Sequence, residues 1–440
     1  MNSPIPSDVV TGLWDTSVPP GWTRNRIRYL ATIKKGRLPT ETFESPLSED
    51  DLPYLSMEFL RGETLTPYYV AIDPILVCAE ADDILLLWDG SNAGEFLRAK
   101  RGVVSSTMAR LQPLHVDPDF LFYACKAVEP MLKEQTVGMG IPHVNSDLLK
   151  SVSMPLPSTN EQRAIAAFLN RKMTSLTTLV AKKRELIEKL TEKRTALISR
   201  TVTRGLPPEA ARAAGLDPHP KLKPSGIEWL GEVPEHWDVV QLFRVTAVIQ
   251  TGPFGSQLHQ SDYVDEGVPL INPSHLIEDR IVPDDQDTVT DETARRLMRH
   301  RLMAGDVVFA RRGEIGRCAV VGEEESGWLC GTGSMIIRLR DCDARYFARV
   351  FRSAGFSALL TLNAVGTTML NLNPSIVGRM RVPLPPLPEQ CAISDYLDRE
   401  TSKMDRMVEK VEAAIERLQE YRAALITAAV TGKIDVRTKH

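Results

Sequence analysis

The residues of this sequence that could do chemistry are chiefly arginines and lysines. Between Asp291 and Arg317 only four acidic residues stand against seven arginines, which are Arg295, Arg296, Arg299, Arg301, Arg311, Arg312 and Arg317. The first half of the chain carries two smaller clusters, which are Lys34, Lys35 and Arg37, and Arg98, Lys100 and Arg101. Clustered cations neutralise phosphates, and arginine can donate two hydrogen bonds to guanine in the major groove. We therefore predict that these residues bind DNA, although a solvated basic face is the commoner explanation of any single cluster.

Arg311 and Arg312 are placed where a strand would present them. They follow the apolar run Val307 to Ala310 and precede Gly313, so the sequence predicts a buried strand that ends in a loop carrying both side chains. The residue types do not distinguish base contacts from phosphate contacts.

Motifs for catalysis are missing from the sequence. It contains no G-x-x-x-x-G-K-[ST] loop, no G-x-G-x-x-G after a strand and no G-x-S-x-G elbow. Asn272-Pro273-Ser274 superficially resembles the Asn-Pro-Pro-aromatic motif of amino-methyltransferases, but the second proline and the aromatic residue are absent. We therefore predict no catalytic residue, and an enzyme in its own right is the weakest of the alternatives.

The composition narrows the class of protein further. The 440 residues carry a net charge of −4, which excludes a uniformly basic nucleic-acid coat. The six cysteines never form C-x-x-C, and no His pair has H-x-x-x-H spacing beside a Glu, so we predict reduced thiols and no metal site. No run of about 18 apolar residues could span a membrane, and the N-terminus lacks a signal peptide. A soluble, cytoplasmic protein with no membrane partner is expected.

The elements that position the basic residues are set by an internal repeat. The segment from Val152 matches that from Met380 at a constant offset of 228 residues, without a gap to Thr203 and Thr431. The identities are Pro155, Leu156, Pro157, Glu161, Gln162, Ala164, Ile165 and Leu169 with Pro383, Leu384, Pro385, Glu389, Gln390, Ala392, Ile393 and Leu397. Upstream the offset drifts, pairing Trp14 with Trp229, Trp22 with Trp237, Gly36 with Gly252, Pro53 with Pro269 and Asp83 with Asp306. Each half is therefore a variable domain followed by a segment of fixed length.

The two segments of fixed length are predicted to be long helices. Leucines and other apolar residues recur every seven positions, at Leu169, Leu176, Leu190 and Leu197 in the first copy and at Leu397, Met404, Val411, Leu418 and Leu425 in the second. Such rows are typical of a coiled-coil seam, and Ser158 with Glu161 fits a capping box at the start of the first helix. About 40 residues make a rod of about 60 Å. We predict that the helices pair antiparallel and act as a molecular ruler between two variable domains.

The predicted fold class is α+β, with two duplicated α/β domains joined by the two long helices. Apolar runs bounded by Gly, Pro and Asp, such as DDILLLWDG and GDVVFARRG, predict short strands in each domain. The predicted segments are a first domain with its N-terminal arm at 1–157, a central helix at 158–204, a linker at 205–232 with little regular structure, a second domain at 233–385, and a C-terminal helix and tail at 386–440.

These motifs together carry a family resemblance. SGIEWLGEVPEHW at Ser225, GDVVFARRGEIG at Gly305, AVGTTMLNLNPSIVGRMRVPLPPLPEQCAI at Ala364 and the earlier P-L-P…E-Q…A-I block resemble the specificity subunits of type I restriction-modification systems. The resemblance covers nearly the full length. It implies two target-recognition domains that each read half of a split DNA target, with helices whose length sets the spacer.

The resemblance also implies partner subunits, and the first half of the chain differs from the family pattern at two places. Two methyltransferase subunits and restriction subunits would dock on this chain, and they, not this chain, would hold S-adenosylmethionine, ATP and Mg²⁺. The first half departs from the pattern, because WDGSNAG at Trp88 replaces RRGEIG and GMGIPHVN at Gly138 replaces GTTMLNLN. There, base reading is expected to fall to Arg98, Lys100 or Arg101. The remaining alternatives are a coiled-coil adaptor that binds no DNA and a stand-alone DNA-binding regulator.

Overall fold

The structure of the protein is a computed structural model. The structure describes residues 18–137, 140–277, 279–364 and 371–436. The predicted N-terminal arm up to residue 17, the first two residues of GMGIPHVN, and 365–370 of the AVGTTML segment lie outside the described residues. The chain divides into two compact units, a first unit of 1–183 with 412–440 and a second unit of 184–411.

The first unit contains most of the first repeat. Its strands are β1 (Thr23–Arg26), β2 (Ala31–Lys35), β3 (Leu52–Leu55), β4 (Tyr69–Val70), β5 (Cys78–Ala79), β6 (Ile84–Leu87), β7 (Phe96–Arg98), β8 (Gly102–Val104), β9 (Met108–Pro113) and β10 (Ser153–Leu156). Its helices are α1 (Ile27–Leu30), α2 (Met57–Arg61), α3 (Pro118–Glu134), α4 (Ser146–Ser151) and the first part of α5 (Thr159–Arg204).

An antiparallel sheet of four strands forms the centre of the first unit. Its order is β2-β9-β6-β7, and a second sheet has the order β4-β3-β8-β5, in which β3 and β8 are parallel. Successive side chains of a strand point to opposite faces. Ile84 and Leu86 of β6 therefore join the core with the helices, whereas Leu85 and Leu87 join the core with the second sheet. Burial on both faces explains why β6 is a continuous apolar run.

Between the repeats the chain forms α6 (Pro208–Ala213) and a ribbon of β11 (Leu222–Pro224) with β12 (Glu232–Pro234). The linker was predicted to have little regular structure, so the ribbon is a difference. Gly226 and Gly231, both at positive φ, lie in the turn that connects the two strands, and Val233 of β12 is buried. The ribbon was not predicted, because its strands are short, contain few apolar residues and are separated by glycines.

The second unit repeats the architecture with insertions. Its strands are β13 (Asp238–Gln241), β14 (Thr246–Thr251), β15 (Tyr263–Val264), β16 (Val268–Ile271), β17 (Leu276–Ile277), β18 (Arg280–Ile281), β19 (Thr288–Val289), β20 (Val307–Ala310), β21 (Cys318–Val320), β22 (Leu329–Cys330), β23 (Ser334–Leu339) and β24 (Arg381–Leu384). Its helices are α7 (Asp291–Arg296), α8 (Ala344–Arg352), α9 (Ala354–Asn363), α10 (Pro374–Arg379) and the first part of α11 (Leu387–Val430), with 3-10 turns at Leu242–Val245, Gly255–Gln257, Gln260–Asp262, Pro273–His275 and Met298–His300.

The central sheet of the second unit corresponds strand by strand to that of the first, whereas the second sheets share three strands and differ in one edge strand. The central order is β14-β23-β20-β21, and β16 pairs with β22 in parallel as β3 does with β8. In β20, Val307 and Phe309 face the helical core while Val308 and Ala310 face the core with the second sheet. The predicted α+β class with duplicated domains is therefore confirmed.

The two long helices pair antiparallel in both units. In the first unit the start of α5 shares a core with the end of α11, through residues such as Leu169 and Leu425. In the second unit the end of α5 shares a core with the start of α11, through residues such as Val202 and Leu397. The predicted seam residues are buried at Leu169, Leu397, Met404 and Leu425 and half-buried at Leu176, Leu190, Leu197, Val411 and Leu418.

A glutamine in each P-L-P…E-Q block ties the long helix to its domain. Buried Gln162 donates from Nε2 to the carbonyl oxygen five residues before it, at 2.9 Å, and accepts from the backbone N–H of Asp117 at 2.8 Å. Gln390 makes the same two bonds, at 2.8 Å and with Asp343 at 3.0 Å. Asp117 and Asp343 in turn cap α3 and α8. The repeated glutamine is therefore a structural residue.

An aspartate at the tip of the β17–β18 hairpin ties the second sheet region to the helices within the second unit. Asp279 accepts from Arg349 of α8 at 2.7 Å and also pairs with Arg352. The other end of the Arg349 guanidinium donates to Asp398 of α11 at 3.0 Å. A guanidinium shared between two carboxylates fixes the orientation of α8 on α11.

Candidate nucleic-acid interface

In the first unit the basic residues Lys34, Lys35 and Arg37 lie at one end of the four-stranded sheet. Backbone bonds from Gly36 to Met108 (2.8 Å) and from Trp88 to Thr107 (2.8 Å) bring together the ends of β2 and β6 and the start of β9. We call this place the first sheet end. Lys35 Nζ lies 2.7 Å from Asp89 Oδ2 and 5.9 Å from the centroid of the Trp88 ring.

The corresponding place in the second unit, the second sheet end, gathers residues from four segments. Gly252 donates to Ser334 at 3.1 Å and Arg311 to Gly333 at 3.0 Å through backbone N–H groups. Gln250 of β14 donates from Nε2 to the carbonyl oxygen of Arg299 at 2.9 Å. The strand ends therefore bring the segments that carry Arg299, Arg311, Arg312 and Arg317 to one place.

Gly36 and Gly252 allow both sheet ends to form. A Cβ on Gly36 would lie 2.1 Å from the carbonyl oxygen of Ser105, and a Cβ on Gly252 would lie 1.9 Å from that of Gly331. No side chain fits such an approach of backbone to backbone. Gly36 and Gly252, which the repeat aligns, are thus required because the chain after β2 or β14 packs directly against the turn before β9 or β23.

Arg311 differs from the predicted pair of exposed arginines. Its side chain is only 8% exposed, and it donates from Nε to the carbonyl oxygen of Leu372 at 3.1 Å and from Nη1 to that of Thr332 at 3.2 Å. Burial, followed by the nearby charge of Arg312, lowers the pKa of the Arg311 guanidinium. Arg311 therefore links two loops of the second sheet end. It does not project from the surface.

Trp88 occupies the place of Arg311 in the first unit. The backbone N–H of Val144 donates to Trp88 at 2.9 Å, just as that of Leu372 donates to Arg311 at 3.0 Å. The segments WDGSNAG and RRGEIG, which align in sequence, thus occupy one structural position that is filled by an indole in the first unit and by a guanidinium in the second.

The other predicted arginines of the second unit fall into two groups. Arg312 is half-buried and has no side-chain partner among the described residues, Arg317 pairs with Glu314, and Arg295 and Arg299 are exposed. Arg296 instead donates to the carbonyl oxygen of Gln257 at 2.9 Å and pairs with Asp262 at 3.2 Å. Arg312, Arg317 and Arg299 therefore lie at the second sheet end, and Arg296 braces the neighbouring loop.

Arg98, Lys100 and Arg101 are not brought to the first sheet end. Arg98 lies opposite Ile84, at the far end of β6, where it pairs with Asp119 and stacks 4.1 Å from the Phe122 centroid. Lys100 donates to the carbonyl oxygen of Phe59 at 2.7 Å, and Arg101 makes an exposed pair with Glu80 at 3.7 Å. The structure separates this cluster from Lys34, Lys35 and Arg37.

Two apolar residues at the sheet ends were not among the predicted site residues, because those were chosen for their charge. Leu38 and Phe254 each follow the edge strand by three residues, and both are exposed. The signal was present in the repeat, because the offset that pairs Gly36 with Gly252 and Pro53 with Pro269 also pairs these two residues without a gap.

The Asn-Pro-Ser motif and the cysteines have structural surroundings. Asn272 of the Asn-Pro-Ser motif donates to Asp287 at 3.0 Å. The six cysteines are free thiols, and burial raises the pKa of Cys125, Cys318 and Cys330. Within the described ranges, no three His, Cys, Asp or Glu side chains are grouped to hold a metal ion, and no helix is long and apolar enough to cross a membrane.

Comparison with known families decides the identity. The model of the type I restriction modification DNA specificity domain matches residues 19–189 and 234–417, that is, both repeats with much of their helices. The chain belongs to this family. The resemblance seen in the motifs is confirmed.

Two relatives extend this family assignment over nearly the whole chain. The specificity subunit of the type I restriction enzyme MjaVIII from Methanocaldococcus jannaschii is 29% identical over 428 residues, covering 96% of this chain and 94% of that protein. The specificity subunit of the type I restriction enzyme EcoBI from Escherichia coli is 19% identical over 426 residues, covering 95% of this chain and 87% of that protein.

Solved structures show the same fold for the family. A chain from a structure of a type I R-M system aligns with a TM-score of 0.69 at 17% identity, covering 95% of this chain and 100% of that one. The HsdS subunit of Thermoanaerobacter tengcongensis aligns with a TM-score of 0.51 at 17% identity, covering 95% and 99%.

Proposed function

We propose that this member of the specificity family is the DNA-reading subunit of a type I restriction-modification complex. The observation that carries the proposal is the duplicated sheet end, which has the same backbone framework in both units and different side chains on it. Lys34, Lys35 and Arg37 supply positive charge at the first, and Arg299, Arg312 and Arg317 at the second. Two frameworks with different side chains suit a target of two unlike halves.

We propose that the remaining basic residues divide by position. Arg295 lies close to the second sheet end in sequence and is exposed, so it suits a phosphate. Arg311 and Arg296 position loops. Arg98 is paired and stacked, so its part in DNA binding is the least supported, and Lys100 and Arg101 would contribute phosphate contacts at most.

We propose that the chain is not itself a catalyst and works with partners. Two methyltransferase subunits and the restriction subunits would supply catalysis with S-adenosylmethionine, ATP and Mg²⁺, in the cytoplasm. Exposed apolar side chains on the long helices, which include Leu179, Leu186, Met407 and Tyr421, offer surface for such partners. The names of the relatives as subunits of restriction enzymes support this arrangement.

Co-expression with the cognate methyltransferase subunit tests the proposal. The chain should direct adenine methylation to a motif of two short specified sequences separated by unspecified base pairs. Sequencing that detects methylated bases across the host genome measures the motif, and the methyltransferase subunit expressed alone is the control. Methylation confined to continuous motifs, or none above the control, would contradict the proposal.

Arg312→Ala is expected to relax one half of that motif. Loss of a bidentate contact to guanine costs about 1–3 kcal/mol of discrimination. The methylome should therefore lose specificity at one or two base pairs of one half, with thermal stability unchanged. If affinity instead fell equally for all sequences, Arg312 would be a phosphate contact.

Arg311→Ala is the matched comparison, because the two arginines are adjacent. It removes the donors to the carbonyl oxygens of Leu372 and Thr332, and unsatisfied buried groups cost about 1–3 kcal/mol. It should therefore lower the melting temperature, which Arg312→Ala should not.

A further inference from the structure

An exposed apolar side chain stands at the same position of both sheet ends. Leu38 is 77% exposed and Phe254 is 59% exposed. Each is the second residue after the glycine that packs backbone against backbone. A single exposed apolar residue is ordinary on a protein surface, but recurrence at one position of a duplicated framework is not explained by chance exposure.

The loop that carries Phe254 is held firmly. The 3-10 turn Gly255–Gln257 is closed by a bond from Gln257 N–H to the Phe254 carbonyl oxygen at 3.3 Å. Arg296 braces the turn through the Gln257 carbonyl oxygen and is itself held by Asp262. The phenyl ring is thus exposed to solvent on a loop that hydrogen bonds hold in place.

Basic side chains lie close to both residues. Lys34, Lys35 and Arg37 precede Leu38 in sequence, and Arg296 donates to the carbonyl oxygen of Gln257, in the turn that follows Phe254. Duplex DNA offers the matching surface, because its phosphates pair with the cations while base edges and base steps accept apolar side chains. Leucine and phenylalanine serve as wedges between base steps, and phenylalanine also contacts the thymine methyl group.

Building on the proposed function, we infer that Leu38 and Phe254 are specificity-determining residues, each of which makes the apolar base contact in one half of the split DNA target. The cations beside them bind the backbone and set the register.

The test uses the complex assembled with its methyltransferase subunits and the motif that the unchanged complex methylates. Leu38→Ala and Phe254→Ala should each reduce discrimination between the target and singly substituted duplexes at least tenfold in one half of the motif. The two variants should affect different halves. Affinity for unrelated DNA and its dependence on salt should not change, because no charge is removed.

Two further variants make the result specific. Phe254→Leu should keep most of the discrimination, since leucine serves at the other sheet end. Leu222→Ala, in the ribbon of β11 and β12 between the repeats, removes an exposed apolar side chain that is not part of either sheet end and should change nothing.

Three results would overturn the inference while the unchanged complex still methylates a split motif. They are full discrimination by both alanine variants, an equal loss of affinity on all sequences, and loss of assembly with the methyltransferase subunits. If the unchanged complex methylates no split motif, the proposed function itself fails.

Discussion

Asp306→Ala is expected to destabilise the second unit by about 3 kcal/mol. The Asp306 side chain is 1% exposed and accepts from Nε and Nη2 of Arg338, both at 2.7 Å, and from the Met303 N–H at 2.8 Å. The bond to Asp306 raises the pKa of the Arg338 guanidinium. Removing one partner of a buried pair leaves the other charge without compensation, which typically costs about 3–5 kcal/mol. We take the lower end because Arg338 is partly exposed.

Thermal unfolding followed by circular dichroism measures this effect. For a unit of this size, about 3 kcal/mol corresponds to a fall in melting temperature of roughly 6–12 °C. Asp83→Ala is the matched control, because Asp83 pairs with Arg110 at 2.9 Å at the corresponding place of the first unit but is more exposed. Equal falls for both variants would show that burial of the Asp306 pair does not matter.

Lengthening both long helices by one heptad is expected to abolish methylation at the original motif. Seven residues inserted after Lys183 and seven after Val411 add about 10.5 Å to each helix and preserve the heptad rows. If helix length sets the spacer, any site that remains methylated will have a spacer longer by about three base pairs, with the bases of each half unchanged. The methylome of the co-expressed complex measures both quantities.

A shorter insertion separates length from register. Four residues added only after Lys183 shift the apolar row of α5 by about 40° and leave α11 unchanged. This variant should lose thermal stability as well as methylation, whereas the double heptad variant should keep its stability. An unchanged spacer in the double heptad variant would rule out the ruler.

The repeat and the long helices could be predicted because the patterns that indicate them depend on residues close together in sequence. Heptad rows and a constant offset depend on one helix at a time, and both helices begin at residues 228 apart, Thr159 and Leu387. The capping box of Ser158 and Glu161 is confirmed by its bonds in both directions. Strands such as β6 and β20 were recognisable because burial on both faces demands continuous apolar runs.

The fate of single basic residues could not be predicted, because it depends on distant partners. Arg311 is buried and donates to the carbonyl oxygen of Leu372, 61 residues away in sequence, and Arg98 is paired with Asp119. The strand register places Arg98 beside the start of β6, away from the first sheet end, and Lys35 beside the residues that follow β6, at the first sheet end. Charge in the sequence identified candidates, whereas register and packing decide which of them reach a sheet end.

The core shared by the first residues of α5 and the last residues of α11 has a consequence for synthesis of the protein. Residues 1–183 leave the ribosome early, but their core includes Leu425, Ile426, Ala429 and Val430 near the end of the chain. The second unit, by contrast, is contained within 184–411 and is complete once that stretch has emerged. The unit that is translated first is therefore finished last, and until then its apolar surface must be kept from aggregating.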